Sequence, residues 1–113
     1  MEVIIKNKHY CDKKYTVNNG ILQIDRFYKI DENNFKNETY DNLAEICSSL
    51  PGIIFDSTKR WSFYGDFDIN DKYYLYIEFE KNNLRIVGNL EKIDFKEWEE
   101  AFHKEIIRIP FRK

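Results

Sequence analysis

The sequence predicts an α+β domain: an antiparallel β-meander sheet of at least four strands, packed on one face by two α-helices. Three observations point there. Aromatic residues make up 17% of the chain while alanine occurs only at Ala44 and Ala101, a bias towards strand. Residues 60–90 alternate apolar and polar side chains with period two, interrupted by Asn/Asp turns. Two other segments, 40–50 and 94–106, repeat their apolar residues at helical spacing. With 113 residues, 42% of them hydrophobic and 34% charged, the chain reads as one domain spanning 1–113, large enough to bury a core without staples.

The elements follow in order. Residues 2–5 (EVII) are expected to form a short edge strand. Residues 14–30 read as a hairpin. Tyr15 and Val17 lead in, Asn18-Asn19-Gly20 supplies a two-residue turn that tolerates positive φ, and Ile21-Leu22-Gln23-Ile24 leads out, continued by residues 27–30. Residues 31–38 are polar and loop-like. The first helix is predicted over 40–50 with Thr39 as N-cap; Leu43, Ile46, Cys47 and Leu50 share a face, and Pro51-Gly52 ends it. Strands are expected at 53–55, 60–69, 73–80 and 84–90, with turns at Asn70-Asp71 and Asn82-Asn83. The second helix is predicted from Asp94, whose spacing to Glu97 suits a capping box, while Ile93 and Trp98 have the spacing of a hydrophobic staple. Phe95, Trp98, Phe102 and Ile106 form its apolar stripe, and 107–111 reads as a final edge strand.

Composition narrows the function classes. The net charge of −2 lacks the basic excess of a protein that wraps nucleic acid. Residues 1–10 carry no secretory pattern, and no run approaches the ~20 apolar residues of a membrane span. The expectation is a cytoplasmic chain with Cys11 and Cys47 reduced, Cys47 packing as a small hydrophobe. His9 and His103 have no Cys, His or carboxylate at metal-ligand spacing, and His103 suits the negative end of a helix dipole. Ser48, Ser49, Ser57 and Ser62 sit in no nucleophile elbow, and the glycines at 20, 52, 65 and 88 build no phosphate loop. No catalytic residue, metal site or cofactor is therefore expected. Asp66 and Asp68, on one side of a predicted strand with Glu78 on the next, are the one carboxylate constellation. Such a pair can serve acid/base or cation chemistry, but carboxylates on one side of a strand more commonly form a solvated surface or a binding face.

Period two sorts the meander into faces. Trp61, Phe63, Phe67, Leu75, Ile77, Phe79 and Ile86 fall on one side and are predicted to share a core with Trp98 and Phe102. The other side carries Tyr64, Asp66, Asp68, Tyr74, Tyr76 and Glu78, with Arg85 as a lone cation. Tyrosine offers large, stiff contact area with a polar tip, so these seven residues are the candidate partner-binding face; the competing reading is cross-strand packing. Residues 31–38 and 56–60 are alternative binding loops. Charge is uneven along the chain: residues 53–80 hold six acids against three bases, whereas 103–113 hold four bases against one acid. An acidic face would guide a basic partner.

A short helix, then LPGIIFDS, RWSFYGDFDI, YYLYIEF and LRIVGNLEKI, then a closing helix, in a chain rich in Asn, Lys and Ile, resembles the immunity proteins of bacterial toxin systems. These include the partners of contact-dependent growth-inhibition and other polymorphic toxins. The resemblance implies a tight one-to-one complex with the C-terminal domain of a cognate toxin, often a basic nuclease, whose active site or another required surface is occluded. It implies no catalysis, no cofactor, no direct nucleic-acid contact and no membrane association. Two other readings stay open: a different protein-binding or assembly module, and a small ligand-binding or enzymatic domain with a pocket between sheet and helices.

Overall fold

The computed structural model describes residues 10–30, 37–57, 59–66, 72–80 and 83–106. Six strands run in the order β1 (Tyr10–Asn18), β2 (Ile21–Lys29), β6 (Asn83–Glu91), β5 (Tyr74–Glu80), β4 (Arg60–Phe63) and β3 (Ile53–Ser57), each antiparallel to its neighbours. Helix α1 (Asn37–Ser48) and helix α2 (Lys92–Glu105) pack on each other and on one face of this sheet. The α+β architecture and the one-sided helical cover are those the sequence predicts. The expected strands at 2–5 and 107–111, residues 31–36 of the expected loop at 31–38, and the segment carrying Phe67 and Asp68 lie outside the described residues, while 37–38 open α1 instead of closing that loop.

The turn chemistry at Asn19-Gly20 works as read. Their φ angles are 54° and 80°, the pairing continues directly from Asn18↔Ile21, and two residues suffice to reverse the chain. The loop has a second use: the Gly20 carbonyl accepts a hydrogen bond from the Lys92 N–H at 2.9 Å, satisfying an orphan donor at the start of α2. That contact replaces the predicted capping box. Helix α2 starts two residues earlier than its sequence signal, Glu91 is its N-cap without a side-chain bond, and Asp94 sits inside the first turn. Ile93 is 73% exposed, so it forms no staple with Trp98. Likewise α1 begins at Asn37, which places Thr39 within the helix rather than at its cap.

The core matches the predicted face. Trp61, Phe63, Leu75, Ile77, Phe79, Ile86, Trp98 and Phe102 belong to one buried cluster, joined by Leu43, Ile46, Cys47 and Leu50 from α1 and by Leu22, Ile24 and Tyr28 from β2. Trp98 is its hub, stacked on Phe102 with centroids 4.7 Å apart and edge-on to Phe63 at 5.4 Å. Gly88 keeps the central strand thin where it must be: a Cβ there would meet Leu75 Cδ1 at 2.7 Å. Both cysteines are free, Cys47 fully buried and Cys11 exposed.

Candidate functional site

Register fixes which side chains share the solvent face of the sheet. Because Leu22, Ile24 and Tyr28 point into the core, Gln23, Asp25 and Phe27 point outward. Pairing then aligns three cross-strand rows: Phe27–Arg85–Glu78–Arg60, Lys14–Asp25–Val87–Tyr76–Ser62, and Thr16–Gln23–Asn89–Tyr74. Tyr74, Tyr76, Glu78 and Arg85 of the predicted face are therefore brought together. The rest are not. Strand β4 ends at Phe63, and Tyr64 takes a φ of 67°, which breaks the alternation. Its ring lies over Gly52 and its hydroxyl donates to the Asp94 carbonyl at 3.4 Å, at the start of α2. Burial pushes its phenol up to about 12. Tyr64 packs within the chain and leaves the candidate face. Asp66 lies beyond the strand, half-buried and engaged in a contact of its own, so it is no free acidic anchor. Asp68 lies outside the described residues.

Among the described residues the face is also not acidic. Arg85 is no lone cation, because Arg60 occupies the same row and Lys14 the next. A bulge between Asp12 and Lys14 in β1 adds Lys13, whose ammonium stands 6.0 Å from the Phe27 ring centroid. Arg85 grips Asp25 of the adjacent row through two bonds of 3.1 and 2.9 Å, and its guanidinium lies 5.5 Å from the ring centroid of its own row partner, Phe27. The hydrogen bonds to Asp25 hold the Arg85 pKa above its ordinary value. Arg60 donates to the Tyr76 hydroxyl at 2.7 Å, and that hydroxyl donates to Glu78 at 3.3 Å. Burial raises the phenols of Tyr74 and Tyr76, with Arg60 pulling Tyr76 back, so both stay neutral at physiological pH. Tyr76 is itself only 7% exposed. It acts as a strut between Arg60 and Glu78, the cross-strand role that competes with contact.

What remains available is a shallow, mixed surface. Thr16, Asn18, Ile21 and Gln23 line one depression of about 470 Å³. Gln23, Lys14, Asp25, Tyr74, Val87 and Asn89 line an adjoining one of about 310 Å³. Both lie towards β1, β2 and β6, away from the Asp66 end that the sequence favours. The alternative segment at 56–60 is tied down: Asp56 accepts from Ser48 at 2.7 Å, and the Lys59 N–H donates to the Tyr40 hydroxyl at 3.0 Å.

A second cluster, on the helix side, has no counterpart in the sequence reading. Arg26 of β2 is 2% exposed. It donates to Asp12 of β1 at 2.6 and 3.3 Å, to Glu99 of α2 at 2.7 Å and to the Tyr28 hydroxyl at 3.1 Å, while its guanidinium lies 3.9 Å from the Tyr10 ring. Burial opposes its charge, but the bonds to Asp12 and Glu99 and the nearby Tyr28 oxygen outweigh it and raise its pKa. His103 completes the chain, its Nε2 2.6 Å from the Tyr28 hydroxyl. His103 stands in the last turn of α2, as expected, but it is buried there, and burial lowers its pKa. Among the described residues no group of three His, Cys, Asp or Glu side chains converges as a metal site would require.

No family model, curated protein or solved structure matches this chain.

Proposed function

We propose that this chain is a protein-binding inhibitor of the immunity type, which occludes the active site or a required surface of a bacterial toxin domain. One observation supports the reading most directly. The solvent face of the sheet presents Phe27, Tyr74 and Val87 among charged side chains already locked into pairs by Arg85–Asp25 and Arg60–Tyr76–Glu78. Such a face loses little side-chain entropy on docking, and aromatic anchors ringed by polar groups are what protein interfaces use. The expected contact set is Phe27, Tyr74, Val87, Asn89, Asp25 and Arg85. The partner surface carries mixed charge rather than a uniform basic field, because carboxylates and cations alternate across this sheet.

The test is to look for a toxin-like reading frame beside the gene and to co-express its product with this chain, followed by affinity capture and a cell-survival assay. A one-to-one complex that protects cells is expected. Tyr74→Ala combined with Val87→Ala should keep the melting curve near wild type and weaken binding by about 2 kcal/mol or more, roughly thirtyfold. Full protection by the double variant would remove this face from the mechanism, and absence of any complex would remove the inhibitor reading.

A further inference from the structure

We propose that the two adjoining depressions on the outer face of the sheet form one trough, which binds a neutral, extended oligosaccharide lying across the strands. Such a site would stand whether or not the chain is an inhibitor, although the two surfaces share Tyr74, Val87 and Asn89.

The trough is walled by neutral groups that are not committed elsewhere. Thr16, Asn18, Asn19 and Gln23 line its wider part, of about 470 Å³, where no charged side chain stands, in a chain that is 34% charged. All four are exposed, and among the described residues none of their side chains has a hydrogen-bond partner. The neighbouring Arg85–Asp25 and Arg60–Tyr76–Glu78 groups, by contrast, are bonded to one another. Each carboxamide offers both donors and an acceptor, and threonine offers both through one hydroxyl, the two-way pattern that adjacent sugar hydroxyls require. Asn89 stands on the far wall. Its Nδ2 donates to the Lys72 carbonyl at 2.8 Å, which fixes the group and leaves its oxygen to accept. Ile21, Val87 and the Tyr74 ring, all half-buried, supply apolar patches on which the C–H faces of sugar rings can rest.

Spacing and charge select the ligand. Thr16, Gln23, Asn89 and Tyr74 stand in register on four neighbouring strands, at intervals of about 4.8 Å, so the row is roughly 14 Å long. That interval is close to the length of one pyranose unit, which lets each strand meet one sugar of an extended chain. An extended peptide repeats its side chains on one face about every 6.7 Å and falls out of step with the row. A nucleic acid needs cations along its phosphates, and the trough lining supplies only Lys14, in its smaller part of about 310 Å³. The one carboxylate of the lining, Asp25, is already held by Arg85, so an ionic ligand finds no matched partner.

The test is titration of the intact chain with cellotriose, mannotriose and chitotriose, read by amide NMR that includes the side-chain NH₂ signals of asparagine and glutamine. At least one of these sugars is expected to give saturable shifts at Thr16, Gln23, Asn89 and Tyr74. Maltotriose, whose linkage curls the chain, and the acidic trigalacturonate should bind more weakly. Gln23→Ala and Thr16→Ala, both at exposed side chains without a partner, should leave the melting curve as it is. Gln23→Ala should weaken binding roughly tenfold, the worth of the one or two hydrogen bonds removed, and Thr16→Ala should weaken it in the same direction. Absence of saturable shifts with all three extended sugars overturns the proposal, as does binding that neither variant weakens. Tighter binding of trigalacturonate than of the neutral sugars overturns it too. A captured protein that covers the trough while none of the sugars binds would assign these groups to protein contact instead.

Discussion

Replacing Arg26 by Ala tests whether the buried cluster beneath α2 holds the hairpin to the body of the fold. The substitution strands two carboxylates and one phenol. Removing one partner of a buried ion pair costs about 3–5 kcal/mol, because the charge left behind is poorly solvated. Here both carboxylates keep some water, with side chains 28% exposed at Asp12 and 23% at Glu99, which argues for the lower end. Tyr28 retains His103 as a partner and adds little. The cation over Tyr10 contributes on the order of 1 kcal/mol more. The expected loss is therefore about 3–4 kcal/mol, a fall in melting temperature on the order of 12–16 °C at about 4 °C per kcal/mol. A domain of this size commonly has about 5–15 kcal/mol in hand, so the variant should still fold at low temperature.

The measurement is denaturant unfolding at pH 7, followed through the tryptophans. Arg26→Met combined with Asp12→Asn and Glu99→Gln removes every charge of the cluster while keeping its shape. This triple variant should recover much of the loss, since replacing a whole buried ion cluster is often close to neutral. An Arg26→Ala cost below about 1 kcal/mol would show that the contacts behave as a solvated surface pair. A triple variant no more stable than Arg26→Ala would show that lost packing, and not stranded charge, dominates.

Three further outcomes are expected. Gly52→Ala should cost about 2–4 kcal/mol by thermal melt, because φ at this position is +76° and an added Cβ would stand 2.7 Å from the Tyr64 ring. Trp98→Ala should cost about 3–5 kcal/mol whereas Ile93→Ala, at the other half of the predicted staple, should stay within about 0.5 kcal/mol. A thiol reagent should label Cys11 in the native protein and Cys47 only after unfolding, since Cys47 is fully buried and burial holds its thiol protonated.

The parts legible in the sequence were those set by local rules. Asn19-Gly20 forces positive φ at two successive positions, and the alternation of RWSF, YLYIEFE and LRIVG separates core from solvent within each strand. Local rules fail where a strand ends. Continuing the alternation past Phe63 places Tyr64 on the solvent face, whereas the backbone there turns to a φ of 67° and sends the ring over Gly52. They fail again where a tertiary contact outranks a cap: the Gly20 carbonyl takes the Lys92 N–H and lets α2 start before Asp94. Strand order is invisible to both. That β2 lies against β6 is what sets Asp25 and Phe27 beside Arg85, while the β1–β2 hairpin sets Asp12 opposite Arg26 and the packing of α2 brings Glu99 to it, in a row that period two makes apolar.

This pairing of β2 with β6 changes what the outer face can do electrostatically. An acidic surface attracts a basic partner from a distance, and its effect fades beyond a Debye length of about 8 Å at physiological salt. The face seen here has little such pull, because Asp25 is bonded to Arg85, and Glu78 stands in a row between Arg85 and Arg60. Its charges act at contact instead. A partner that covers Arg85–Asp25 must match or replace both members of the pair, since burying either one unpaired costs several kcal/mol. The apolar and aromatic groups between them, Phe27, Val87 and Tyr74, contribute burial that any partner could share. If this face binds as proposed, the rings and Val87 would supply affinity, the fixed ion pairs would reject wrong partners, and association should depend only weakly on salt.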